Sequence, residues 1–143
     1  MTSSRWFSPV ALVLVILGGA AGVAARAAIV VPLSTGTHPL VVPAATLGIN
    51  LVGSLLLGVV VGWLDDRRPR LRLFLGTGVM GGFTTYSAFA VHTVTTAGAA
   101  PVVGLTLAAV SIFGGVAAAV AGLAIGRRIA DVPGEVEPAE DAE

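Results

Sequence analysis

Charged residues are scarce in this sequence, and lysine is absent. Only 11% of the 143 residues are charged and the mean hydropathy is +0.94, whereas charged residues make up about a quarter of a typical soluble domain. The eight basic and eight acidic residues cancel, so the chain has no basic face for nucleic acid. These scarcities exclude an ordinary soluble domain and a nucleic-acid-binding protein.

Cysteine is also absent, and the long hydrophobic stretches hold no aspartate or glutamate. Without cysteine there is no disulfide, thiol nucleophile or thiolate metal site. Without buried carboxylates, paired-acid catalysis and hard-metal carboxylate sites lack their residues. We therefore expect a protein that is not an enzyme. A small multidrug transporter is disfavoured as well, because it would need a buried acid for proton exchange.

The long uncharged stretches that remain predict four membrane crossings. A helix needs about 20 apolar residues to cross a bilayer, and the stretch from Leu73 to Ile125 has no charged residue and is long enough for two. The predicted fold class is an all-α membrane protein, with residues 1–130 as a four-span membrane domain and residues 131–143 as a disordered acidic tail. The predicted spans are residues 9–32, 42–64, 73–94 and 102–126.

Glycines recur at four-residue intervals in every predicted span. This spacing lets helix backbones approach closely where lipid provides no hydrophobic drive for association. Tight packing is the favoured interpretation for most of them. The pairs are Gly18 and Gly22, Gly58 and Gly62, Gly78 and Gly82, and Gly122 and Gly126.

The third span differs from an ordinary membrane helix because glycine and threonine crowd its middle. Gly76-Thr77-Gly78 is followed by Gly81-Gly82-Phe83-Thr84-Thr85, which predicts a helix broken at mid-membrane. The carbonyls of a broken helix face cations and its amides face anions. The alternative is an unbroken helix with a face of small residues.

Polar residues in the second span share one helical face, since Thr46, Asn50 and Ser54 are four residues apart. The Asn50 amide can donate to an anion without bringing a full charge, which suits a pore that must release its ion. A hydrogen bond across a helix interface is the equally favoured alternative.

Two aromatic rings in the third span, Tyr86 and Phe89, lie on one side of a helix. Their positive edges are suited to lining an anion path, while packing in the core is the alternative. Hydroxyl groups elsewhere in the spans either add donors to that path or bond their own helix backbone. These hydroxyls belong to Ser87, Thr93, Thr106 and Ser111.

Arg26 is the one formal charge well inside a hydrophobic stretch. It either attracts anions to a vestibule or extends to the membrane surface and pairs with a helix end. His92 is interpreted as an interfacial or hydrogen-bonded histidine, and His38 falls in a loop.

Three stretches resemble the small bacterial fluoride channels called Fluc or CrcB. They are residues 18–26 (GGAAGVAAR), 46–54 (TLGINLVGS) and 81–89 (GGFTTYSAF). Their order and spacing fit the family across the first three spans, and the fourth span fits in hydrophobicity and at Ser111. The last stretch is the most specific of the three.

The resemblance implies a fluoride-specific ion channel of the cell (inner) membrane that exports fluoride passively and lowers cytoplasmic fluoride. Proteins of this family are antiparallel, dual-topology dimers with two fluoride pathways and a structural sodium ion. Carried over by position, the backbone carbonyls of Gly81 and Thr84 hold sodium and Arg26 lies in a vestibule. The residues implied for the fluoride pathway are Asn50, Tyr86, Phe89, Thr46, Ser87 and Ser111.

Two features depart from the family pattern. Tyr86 occupies a position that is usually phenylalanine. Three groups of arginines fall on one side of the predicted membrane: Arg5, the arginines of residues 67–72, and Arg127-Arg128. This bias favours a single orientation of the chain with both termini cytoplasmic. Since an antiparallel homodimer needs near-balanced charge, the partner is either a second copy or an oppositely oriented paralogue. The alternative function is a non-conducting structural subunit of a heterodimeric channel.

Overall fold

All regular structure in the described part of the chain is helical. The computed structural model describes residues 8–35, 38–65 and 67–131. The helices α1, α2 and α6 are long and apolar enough to cross a membrane, so the prediction of an all-helical membrane chain is confirmed for these residues. The elements are α1 (Pro9–Leu33), α2 (Val41–Leu64), α3 (Pro69–Arg72), the π-helix π1 (Leu73–Met80), α4 (Gly81–Phe83), α5 (Tyr86–Ala99) and α6 (Pro101–Ala130).

The region between α2 and α6 is not a single long helix. The elements α3, π1 and α4 follow one another without a gap, and then Thr84 and Thr85 take extended conformations, with ψ angles of 158° and 114°. Both residues are β-branched, which disfavours helix and favours extended backbone. The interruption therefore falls at the two threonines, just after Gly81 and Gly82.

The helices pack as two parallel pairs joined at glycines. A Cβ atom added to Gly22 of α1 would lie 2.7 Å from the Phe83 nitrogen, and one added to Gly18 would lie 2.9 Å from the Gly78 Cα atom. Between α2 and α6, a Cβ atom on Gly58 would lie 2.8 Å from the Leu123 nitrogen. The close packing predicted for these glycines is present. It joins α1 to π1 and α4, and it joins α2 to α6.

The α2 helix also runs beside the interrupted region, in the opposite direction. Gly53 of α2 faces Thr84, while Gly76 of π1 faces Leu57 of α2, where an added Cβ atom would lie 3.5 Å from a Leu57 methyl carbon. The α5 helix then folds back along α6, since Gly104 faces Ala97. These contacts place Asn50, one turn before Gly53, opposite the interruption.

The outer surface of the described residues is apolar, and one end is basic. Among the large apolar side chains that the structure describes, only Ile49 and Leu64 are buried, as expected when lipid rather than water surrounds the helices. Arg67 donates to the Ala130 carbonyl at 3.4 Å, so the arginines of residues 67–72 and 127–128 share an end. Arg5 and residues 132–143 of the expected acidic tail lie outside the described residues, and the domain division stays a prediction.

Candidate ion-binding site

Asn50 and the backbone of Thr85 are joined by two hydrogen bonds. The Thr85 amide donates to Asn50 Oδ1 at 2.9 Å, and Asn50 Nδ2 donates to the Thr85 carbonyl at 3.1 Å. The cross-helix bond left open by the sequence is therefore present. Because Nδ2 carries two hydrogens, one remains after this pairing, so structural and ion-binding roles are compatible for Asn50.

Thr85 also begins α5. Its Oγ1 accepts from the Ala88 amide at 3.2 Å and lies 3.2 Å from Ser87 Oγ, which is the arrangement of a helix N-cap. Thr84 directs both its amide and its Oγ1 at the Met80 carbonyl, at 3.0 and 2.9 Å. The amides and hydroxyl groups of Thr84 and Thr85 are thus bonded within the protein, which matters because lipid provides no partners.

The interruption removes the helical donors of four carbonyls, those of residues 81–84, because a helix end leaves its last four carbonyls without amides from a following turn. In an unbroken helix, the Thr85 amide would bond the Gly81 carbonyl and the Ala88 amide would bond the Thr84 carbonyl. Those amides instead bond Asn50 Oδ1 and Thr85 Oγ1. Gly81 and Thr84, the two residues expected to bind sodium, are among these four residues, and sodium binding there stays a prediction.

A cavity of about 300 Å³ opens beside the Asn50–Thr85 pair. The Tyr86 and Phe89 rings line it, with centroids 5.9 Å apart and planes inclined at 52°. Tyr86 is 81% exposed, so its ring is not packed in the core of this chain. The polar residues that also line the cavity are Asn50, Ser54, Thr84, Thr85 and Ser111.

Two further cavities follow the same groove between α2, α5 and α6. The smaller is lined by the buried Thr46 together with Phe89, His92 and Ser111. The larger, of about 520 Å³, is lined by both histidines, His38 and His92. Since each cavity shares residues with the next, they lie in series from Asn50 to the uncharged end of the helices.

Residues 13–123 match the family described as "CrcB-like protein, Camphor Resistance (CrcB)". The chain belongs to the CrcB family. A protein of Bacillus subtilis named "Fluoride-specific ion channel FluC 2" is 41% identical over 120 residues, which cover 82% of this chain and 88% of that protein. The "Fluoride-specific ion channel FluC" of Hyphomonas neptunium is 44% identical over 123 residues, which cover 81% of this chain and 94% of that protein. With its apolar helices, this CrcB protein is a multi-pass membrane protein.

Not all residues expected at the site of this CrcB protein reach the cavities. Ser87 is exposed and contacts Thr85 rather than lining the cavities described above. Arg26 follows Gly22 by one turn on the face of α1 that meets α4, and its Nε is buried without a hydrogen-bond partner among the described residues. Thr106 donates to the Val102 carbonyl of its own helix at 2.8 Å.

His92 was not assigned to the site from the sequence of this CrcB protein, yet it lines two of the three cavities. Its position three residues after Phe89 was the available signal, because that spacing puts both on one side of α5. His92 therefore belongs with the candidate site.

Proposed function

We propose that this protein is a fluoride-specific ion channel that lets fluoride leave the cell passively and so lowers cytoplasmic fluoride. The observation that carries the proposal is the similarity to proteins named fluoride-specific ion channels along most of both chains. The same similarity favours a channel over an enzyme. The cell (inner) membrane is the location that fits bacterial relatives.

The fluoride pathway follows the line of cavities from Asn50. The free Nδ2 hydrogen of Asn50 and the Ser111 hydroxyl replace part of the water around fluoride, and the positive edges of Tyr86 and Phe89 add attraction. Neutral donors suit conduction because an ion must leave as readily as it enters. Thr46 extends the path, while Ser87 and the vestibule residue Arg26 act from its flanks.

A structural sodium ion is proposed at the carbonyls of Gly81 and Thr84. Hard cations prefer oxygen ligands, and these carbonyls lose their helical donors because Asn50 and the Thr85 hydroxyl take the amides. Bound there, sodium supplies a positive charge near the anion path. The chain's own contribution is to keep the two threonines extended.

An antiparallel dimer, with the interruption at mid-membrane, is the proposed assembly. Thr77, Gly81 and Ser87 are exposed around the interruption, and polar groups facing lipid at that depth are costly. A second subunit in the opposite orientation would cover them and complete the site. The arginine bias toward one end favours a paralogue of opposite bias as the partner, with a second copy of this chain as the alternative.

The test is fluoride efflux from phosphatidylcholine liposomes containing the purified chain, followed with a fluoride electrode. We expect rapid fluoride efflux and no chloride efflux if two copies of this chain can pair. If the partner must be a paralogue, this chain alone passes no fluoride and both chains are needed. A chain that dimerises but passes no fluoride would instead be the non-conducting structural subunit, an alternative that the relatives' names do not favour.

A further inference from the structure

A small cavity lies between the ends of α2 and α6, far from the proposed ion path. Its volume is about 180 Å³, and Trp63, Arg67, Arg68 and Ile129 line it together with Leu64 and Ala130. Two guanidinium groups therefore share a cavity with an indole and a branched aliphatic side chain. We call it the Trp63–Arg68 cavity.

Arginines outnumber aspartates beside the ends of α2 and α6. Residues 65–72 and 127–131 hold six arginines and three aspartates. The two described aspartates, Asp65 and Asp131, line a neighbouring cavity with Arg67 and Arg127 rather than the Trp63–Arg68 cavity. Within the described ranges, the Arg68 side chain makes no hydrogen bond or ion pair. Among the described residues that line the cavity, two are arginines and none is acidic.

The cavity also lies where a membrane-spanning helix meets the lipid headgroups. It adjoins the ends of α2 and α6, two of the membrane-length helices, and tryptophan is enriched at that level of a bilayer. Trp63 and Ile129 are 42% and 48% exposed, and Leu56 and Ile125, farther along the same helices, are 41% and 46% exposed. A ligand bound by the arginines would have apolar helix surface directly beside it.

We propose that the Trp63–Arg68 cavity binds the headgroup of an anionic phospholipid. Arg67 and Arg68 contact the phosphodiester, since guanidinium groups pair well with phosphate oxygens, and the acyl chains lie along Trp63 and Ile129. Basic pockets between helices at a membrane surface bind such headgroups. A ligand with one anionic and one apolar part matches both walls of the cavity, and a soluble anion would match only one.

Trp63 provides the probe for a direct test. The Trp6→Phe variant leaves Trp63 as the single tryptophan, because the chain has two. In phosphatidylcholine nanodiscs, which expose both faces of the bilayer, brominated phosphatidylglycerol should quench Trp63 several-fold more than brominated phosphatidylcholine at the same mole fraction. Arg68→Gln in this background should lower that preference about fivefold, the typical effect of one arginine at an anionic surface.

Arg128→Gln is the matched control, because it removes the same charge at the same end but does not line the cavity. It should leave the preference nearly intact, and circular dichroism should show both variants folded. Equal quenching by the two lipids, or equal loss in both arginine variants, would overturn the proposal. So would displacement of brominated phosphatidylglycerol by glycerol phosphate, because that result would indicate a site for soluble anions.

Discussion

Asn50 and Thr85, 35 residues apart in sequence, satisfy each other's hydrogen bonds where the helical backbone is interrupted. Asn50 supplies the acceptor that the Thr85 amide lost, and its Nδ2 also donates to the Thr85 carbonyl. A side chain of α2 therefore stabilises a backbone conformation in another part of the chain. The same amide group faces the cavity that we propose for fluoride.

Replacing Asn50 should affect both stability and conduction. Asn50→Ala leaves the Thr85 amide without its acceptor, so we expect unfolding to become easier by about 1–3 kcal/mol and fluoride efflux to fall more than about tenfold. Ser54→Ala is the control, since Ser54 lies one turn away and lines the same cavity but has no such pairing. Denaturant unfolding in detergent and liposome efflux measure the two effects, and equal behaviour of both variants would contradict the assigned role.

Adding a methyl group to Gly22 should loosen the α1 pairing. An alanine Cβ there would meet the backbone of Val79 and Phe83, and such overpacking costs about 1–3 kcal/mol. Gly19→Ala on the same helix is the control, because its added Cβ would have no heavy atom within 4 Å. The melting temperature of Gly22→Ala should be several degrees below that of Gly19→Ala. Equal melting temperatures would show that α1 can move away from Val79 and Phe83 without loss of stability.

Tyr86 should matter for conduction but not for the stability of the single chain. Its 81% exposure means that Tyr86→Leu removes little internal packing, while it removes the ring edge proposed to attract fluoride. We expect fluoride efflux to fall more than about tenfold in Tyr86→Leu and to persist in Tyr86→Phe, which keeps the ring. Val94→Ala, also on α5 and 72% exposed, is the control. Undiminished efflux in Tyr86→Leu would remove this residue from the path.

Sodium should stabilise the protein if the carbonyls of Gly81 and Thr84 bind it. Above the dissociation constant, each tenfold rise in sodium should add about 1.4 kcal/mol of stability, read as a rise in melting temperature. Choline chloride at equal ionic strength is the control for screening. In Asn50→Ala the extended backbone of Thr85 loses the side chain that holds it beside the two carbonyls, so the sodium effect should shrink. Identical melting in sodium and choline would argue against the site.

The sequence indicated the apolar helices more accurately than it indicated the interruption. Hydrophobic length is a local property, so α1, α2 and α6 follow from the uncharged stretches. The glycine-rich motif suggested a break, but Gly82 remains helical because it packs against the Gly19 backbone. The break falls at Thr84 and Thr85, where Asn50 supplies partners from 35 residues away, and a local pattern does not show such a long-range partner.

The candidate site was predicted unevenly for a similar reason. The four-residue spacing of Thr46, Asn50 and Ser54 identified the face of α2 that lines the cavities, because helical periodicity is fixed. Whether Asn50 bonds a helix or faces an ion could not be decided from spacing, since the answer depends on where Thr85 lies. The contribution of His92 was missed because its spacing of three residues from Phe89 shows a shared side of α5 but not which cavities that side lines.

The parallel pairing of α1 with π1 and α2 with α6 interleaves the two halves of the chain. A cut between Leu64 and Pro69 would give each fragment one member of both glycine-joined pairs. Neither fragment would hold a complete pair. During synthesis α1 and α2 are therefore inserted before their partners, and they make little contact with each other. The pair of α1 with π1 can then form first, and assembly of this small protein is complete only after α6 has been inserted beside α2.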